Sequence, residues 1–190
     1  MTRQEFWNAF DQFRPGLERL ISSKSQDFAA YHALSASLHE YNEFLIPEIT
    51  LDTQDGYVLI ISCDGNNRGI PAVERLTKDL PGYSNWTIVK YRQPGPMEVI
   101  PLKGQNVKRK DLLLSWEKTS TDKYNLTFFL KWYLDTQVYR SGVILHMDHT
   151  IGEYDAMTRI EAVQFKRLGL FSSKDGLKTL DDLKVEIDGH

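Results

Sequence analysis

The sequence predicts an α+β fold, and three observations carry that prediction. Residues 44–92 and 111–166 each read strand, strand, helix, strand, with almost no residue identity between the two segments. The second strand of the first segment, Tyr57 to Cys63, is apolar on both alternations, as expected of a central strand covered on both faces. Ahead of both segments, residues 1–43 carry aromatic and aliphatic stripes at helical spacing. The expectation is a single domain over residues 1–190. Two strand-strand-helix-strand repeats would build one mixed sheet, or two abutting sheets, with the amino-terminal helices packed on it.

The first helix has its own start signal. Thr2 and Glu5 stand three apart, the capping-box spacing in which hydroxyl and carboxylate each satisfy an unpaired backbone N–H. Phe6, Trp7, Phe10 and Phe13 then form a stripe that needs burial. Pro15 should end or kink this helix, since it lacks an N–H, leaving Leu17, Leu20 and Ile21 on a short second piece. After the polar joint Ser22 to Ser25, Phe28, Tyr31, Leu34, Leu38 and Tyr41 mark a second helix.

The first repeat opens at Phe44 with a strand to about Leu51, and Asp55-Gly56 turns the chain into the strand Tyr57 to Cys63. A polar loop, Asp64 to Gly69, leads to a helix through Val73, Leu76 and Leu80 that Pro81-Gly82 stops. Trp86 to Tyr91 returns as a strand. The connector Gln93 to Pro101 holds three prolines, which argues against a regular central strand there. Lys103 to Lys110 reads as a basic loop. In the second repeat, Leu112 to Trp116 and Tyr124 to Trp132 form a hairpin around Thr119 to Asp122. A helix from about Thr136 carries Tyr139, Val143, Met147 and Ile151, and Gly152 ends it. Ile160 to Phe165 is the last strand, and residues 177–188 close the chain with a helix presenting Leu180, Leu183 and Ile187.

Composition narrows the function classes. Hydrophobic residues at 41% and charged residues at 26% are ordinary for a globular chain of 190 residues. A net charge of -3 offers no global attraction to nucleic acid or to anionic membrane. One cysteine, Cys63, excludes an internal disulfide and a cysteine-based zinc cluster, and fits a reducing cytoplasm. Charges scattered through Met1 to Leu20 argue against a signal peptide, and no run approaches the roughly 20 apolar residues of a membrane helix. A cytoplasmic protein is therefore expected.

Candidate chemistry is sparse. The loop Asp64 to Gly69 sits between a buried strand and a helix amino terminus, a natural anion site. Its spacing matches neither the dinucleotide fingerprint nor the phosphate loop, so a turn that caps the next helix is the better reading. His146 and His149 share a helix face near Glu153 and Asp155, but the order lacks the metalloprotease pattern. His32 and His39 likewise read as ordinary helix residues. Neither a metal nor a cofactor is expected. Cys63 reads as a packing group, there is no Gly-x-Ser-x-Gly elbow, and Glu153 with Asp155 reads as a solvated turn. The cluster Lys103, Lys108, Arg109 and Lys110, with Tyr91, Arg92 and Trp116, could suit single strands, but loop charges are ordinarily solvated. Nucleic acid is disfavoured.

Five short segments nevertheless occur together: Glu5-Phe6-Trp7-Asn8-Ala9-Phe10, His39-Glu40-Tyr41-Asn42, Ile61-Ser62-Cys63-Asp64-Gly65-Asn66, Tyr91-Arg92-Gln93-Pro94 and Ile151-Gly152-Glu153-Tyr154-Asp155. In that order the chain resembles a family of bacterial proteins of about this length with no established activity. The resemblance implies that the Asp64 loop, Arg92 and the Gly152-Glu153-Tyr154-Asp155 turn matter together, for folding or for function. Asp64, Asn66, Arg92, Glu153 and Asp155 are accordingly the candidate binding residues, with no catalytic residue assigned. Arg92 is expected to pair with a carboxylate of the Glu153–Asp155 turn. The leading expectation is a non-enzymatic binding or regulatory protein, of an immunity or inhibitor type, whose partner is another protein. The alternative is a small hydrolase-type enzyme with a polar site between the repeats.

Overall fold

The computed structural model describes residues 1–23, 26–52, 54, 56–80, 82–102, 105–131, 136–169 and 173–189. Asp55, Pro81, Lys103 and Trp132, each given a place in the sequence reading, lie outside the described residues. The fold is α+β, and the chain divides into two compact units, Met1–Arg92 and Gln93–His190.

The first unit opens with α1 (Arg3–Ser22), which starts at the expected capping box of Thr2 and Glu5. Pro15 does not end it. The ring faces solvent, and the same helix goes on to bury Leu17 completely, so packing on both sides of the proline outweighs one missing backbone bond. α2 (Ala29–Tyr41) lies against α1, and Gly16 permits the approach, since a Cβ there would meet the Ala30 Cβ at 2.6 Å. Leu34 and Leu38 are buried as expected, whereas Phe28 is half exposed just before the helix.

Three strands follow: β1 (Ile46–Leu51), β2 (Tyr57–Ser62) and β3 (Trp86–Lys90). β2 is central, antiparallel to β1 and parallel to β3. Leu59 and Ile61 are sealed on one face, while Val58 and Ile60 on the other are half-buried. The crossover to β3 contains a 3₁₀ turn (Asn67–Gly69) and α3 (Ile70–Leu76), which stops before Leu80. The α1 stripe closes this unit. Phe10 packs edge-on against Trp7, Tyr83 and Trp86, and the indole N–H groups of Trp7 and Trp86 donate to the Leu76 carbonyl (3.0 Å) and the Glu18 carboxylate (2.8 Å). The amino-terminal helices thus pack on the sheet, as their unpartnered aromatics required.

The second unit begins with a two-stranded antiparallel ribbon, β4 (Val99–Leu102) and β5 (Gln105–Lys108), followed by a 3₁₀ turn (Arg109–Asp111). The expected basic loop is therefore partly strand. An isolated ribbon tolerates Pro101, because no further strand demands its missing N–H. Ile100 and Val107 pair across the ribbon and are both buried.

β6 (Leu112–Lys118), β7 (Tyr124–Leu130) and β8 (Ile160–Arg167) form the other three-stranded sheet. β7 is central, antiparallel to β6 and parallel to β8. Tyr124, Leu126, Phe128 and Leu130 point to one buried face. The helix α4 (Gln137–Ile151) covers them with Tyr139, Val143, Met147 and Ile151, joined by Leu180, Leu183 and Ile187 of α6 (Leu180–Asp188). Between α4 and β8, α5 (Glu153–Arg159) starts directly after Gly152.

The two three-stranded sheets share one connectivity, a hairpin followed by a helical crossover to a parallel strand. Of the two arrangements expected, one mixed sheet or two sheets, the strands do not form the single sheet. Two physical reasons are visible. The chain leaves β3 through Tyr91 at φ +57° into a proline-rich segment, and the outer edge of β6 is paired at Leu114 by Lys178. Among the described residues, no helix is long and apolar enough to cross a membrane.

Candidate functional site

In the first unit the candidate residues gather at the carboxyl ends of the parallel strands β2 and β3. In open α/β arrangements that end is where loops converge on ligands. Asp64 follows β2 and Arg92 follows β3, so the ladder that pairs Ile61 with Lys90 carries both to the same rim. The Tyr91 N–H still donates to the Ile61 carbonyl at 2.9 Å, which extends the pairing by one residue.

Arg92 then turns its guanidinium onto two carboxylates. Its Nη2 donates to Asp64 Oδ1 at 2.7 Å, and its Nε donates to Glu48 Oε1 on β1. The arginine side chain is only 11% exposed while that of Asp64 is 59% exposed, so the cation is buried under a carboxylate that still faces water. One guanidinium thereby ties β1, the β2 exit and the β3 exit together.

The backbone beneath this triad is strained. Asp64 and Tyr91 both adopt positive φ, +49° and +57°, a conformation costly for a residue with a side chain and most unusual for tyrosine. Each has a side-chain reason to be there. Asp64 supplies the Arg92 contact, while its N–H donates to the buried Ser62 hydroxyl at 2.9 Å. Tyr91 donates its hydroxyl to Glu74 at 2.9 Å, and Lys90 donates to the same carboxylate at 2.6 Å. The Lys90 ammonium, and after it the Tyr91 hydroxyl, hold Glu74 below the usual carboxylate range against its partial burial.

The polar loop behaves as a capped turn. Gly65 continues at φ +77°, and the Asn66 side-chain oxygen accepts from the Arg68 N–H at 3.1 Å. Asn66 therefore serves the backbone of the turn. Cys63 is buried against Gly69, where an added Cβ would come within 2.9 Å of the cysteine Cβ. Arg68 lies over the Phe44 ring at 4.6 Å, which fixes the outer side of the loop.

In the second unit, Glu153 and Asp155 are not a solvated turn. They occupy the first turn of α5, where the helix dipole favours carboxylates. Glu153 is fully buried and Asp155 is half-buried, facing Arg159 at 3.9 Å. Glu153 belongs to a run of buried polar groups at the α4–α5 junction, with His146, Asp148 and Thr150. His146 Nε2 lies 3.0 Å from the Val107 carbonyl, tying α4 to the ribbon, and Thr150 donates to the His146 carbonyl at 2.7 Å. Gly152 joins the two helices at φ +90° and ψ 145°, a conformation open essentially to glycine alone. Among the described residues, no group of three or more His, Cys, Asp or Glu is arranged to hold a metal.

Asp64, Asn66 and Arg92 thus lie together in the first unit, and Glu153 and Asp155 in the second. Sequence reasoning missed Glu48 and Glu74. Both sit inside regular elements, where a lone carboxylate looks like any solvated residue and only the strand register reveals its partner. Comparison with protein-family models, with characterised proteins and with solved structures finds no match, so the reading of function rests on this geometry alone.

Proposed function

We propose that this chain is a non-enzymatic binding or regulatory protein, of an immunity or inhibitor type, that docks another protein through the rim formed by Asp64 and Arg92. The observation that carries the reading is the Glu48–Arg92–Asp64 triad, a charged group locked in one shape and carrying an exposed carboxylate. Its charges are directed at one another, and the positive φ at Asp64 goes with its carboxylate on Arg92. Preorganisation of this kind reduces the entropy lost on binding.

Charge gives the class of partner. The first 92 residues hold 9 Lys or Arg against 12 Asp or Glu, whereas the remaining 98 hold 14 of each. The whole net charge of the chain therefore belongs to the unit that bears the triad, and the complementary surface is basic. A Lys or Arg of the partner would approach the exposed Asp64.

The test is isothermal titration of the purified protein with the product of the neighbouring gene. Saturable binding that Asp64→Asn weakens tenfold or more supports the reading. Binding that ignores Asp64→Asn removes the rim from it. Turnover of a chromogenic ester or phosphoester, abolished by Glu48→Gln or Asp64→Asn, would replace it with the hydrolase reading.

A further inference from the structure

The second unit carries a groove of about 660 Å³ that the rim in the first unit does not involve. Small-ligand sites usually occupy some 300–1,000 Å³, so it has room for an organic molecule. One wall is the Pro94-Gly95-Pro96 segment, pinned where the Gly95 N–H donates to the His149 carbonyl at 2.8 Å. The others come from the Arg109–Asp111 turn, the end of α4 and the start of α6.

Three cations line it, Arg109, Lys110 and Lys184, against the carboxylates of Glu98 and Asp181. Arg109 is the informative one. Its side chain is only 16% exposed, Nη2 donates to Asp181, and the buried Nε has no acceptor among the described residues. A guanidinium offers five N–H donors in a planar fork, and the Asp181 bond engages Nη2 alone. Asp181 fixes the plane of the guanidinium. Lys110 makes no ion pair among the described residues, while Lys184 is held by Asp188 at 2.7 Å, a residue outside the groove lining.

We propose that this groove binds a small organic ligand through an oxyanion, a carboxylate or a phosphate. The anion would meet the Arg109 guanidinium with the Lys110 and Lys184 ammonium groups around it, and the apolar Pro94, Pro96 and Leu180 would face the ligand body. The pairing is the charge-assisted kind in which arginine excels. It would give a protein-binding chain a second input, an effector site separate from the docking rim.

Inorganic phosphate and succinate, titrated separately into the full chain at constant ionic strength, test this by amide chemical shifts. Saturable shifts at Gly95, Arg109, Lys110 and Asp181 with millimolar affinity are expected, and the tighter of the two probes names the oxyanion. Lys110→Gln, at an exposed position, should weaken binding at least threefold without altering the fold. Arg109→Lys keeps the charge but removes the planar fork, and should weaken it tenfold or more. Linear shifts spread over surface lysines, or saturation unchanged in Lys110→Gln, would overturn the proposal. Asp64→Asn should leave these titrations untouched, so failure here and failure of the docking rim are separate results.

Discussion

The two units solve the same topological problem with different backbone chemistry. Each makes a hairpin, crosses through helix and returns in parallel. At its critical joint the second unit uses glycine, with Gly152 at φ +90° between α4 and α5. The first unit puts Asp64 and Tyr91 into the left-handed region at its strand exits, although glycine would be free of strain there. Strain of that kind persists where the side chain is needed. Both side chains are in use, Asp64 on Arg92 and Tyr91 on Glu74. The second unit's joint relies on the absence of a side chain, while the first unit's exits place side chains in hydrogen bonds within the unit.

The largest expected effect tests whether the first unit is rigid enough to hold such strain. Phe10 is fully buried among Trp7, Tyr83 and Trp86, so Phe10→Ala should cost about 3–5 kcal/mol in urea unfolding. Phe128, fully buried and stacked on Phe165 at 5.9 Å, should show a similar loss in the second unit. A loss under about 1 kcal/mol at Phe10 would mean that α1 braces the sheet little and cannot support the strained exits.

Next comes the glycine joint. Gly152→Ala should destabilise by roughly 1–3 kcal/mol, because φ +90° with ψ 145° clashes with a Cβ whatever space surrounds it. A melting temperature unchanged from the parent would show that this joint can relax, and the contrast between the units would fail.

How legible this was in the sequence depends on the kind of signal. Thr2 with Glu5 and Gly152 announced their boundaries, because caps and positive φ require particular residues at particular positions. The alternation in Tyr124, Leu126, Phe128 and Leu130 gave β7 and its buried face together. Pro15, read as ending or kinking the helix, does not end it, since it lies on the exposed side of α1 and the burial of Leu17 decides. The carboxylates at 153 and 155 looked like a solvated turn because a seven-residue helix shows too little periodicity to be seen. Asp64 and Arg92 were legible as candidates, but Glu48 was not, because its contact depends on register across a sheet.

A smaller effect should appear as a gain. The Tyr83 hydroxyl is buried without a hydrogen-bond partner among the described residues, although Arg14 lies over its ring at 4.9 Å. Tyr83→Phe keeps the ring contacts and should stabilise by about 1 kcal/mol, the low end of the penalty for an unmatched polar group. Burial, reinforced by Asp11, pushes the phenol up to about 12. The unfolded phenol ionises near 10, so between about pH 10 and 12 the unfolded chain holds fewer protons and stability falls as pH rises. That contribution is complete below pH 10, and Tyr83→Phe should flatten the alkaline loss in a thermal-melt series. A tyrosinate titration at 295 nm with no phenol above the ordinary range would remove the burial argument.

The smallest expected change in stability is the sharpest test of the contrast. Asparagine accepts the left-handed region about as readily as aspartate, so Asp64→Asn leaves the backbone at φ +49° undisturbed. It removes one charge from an ion pair whose acid is largely exposed, and such pairs contribute about 0–1 kcal/mol. Arg92 keeps Glu48, so the buried guanidinium retains an anion. The net change should stay within about 0.5 kcal/mol, as for most surface substitutions. Asp64→Gly takes the comparison further, since it relieves the strain while deleting the carboxylate, and it should be as stable as the parent or slightly more so. If the rim is a docking surface, both variants keep the fold and lose the partner, and the Asn variant isolates the charge from the backbone. A marked loss of stability in Asp64→Asn would instead make the triad a structural brace, and the first unit would then resemble the second in using its special residues to shape the chain.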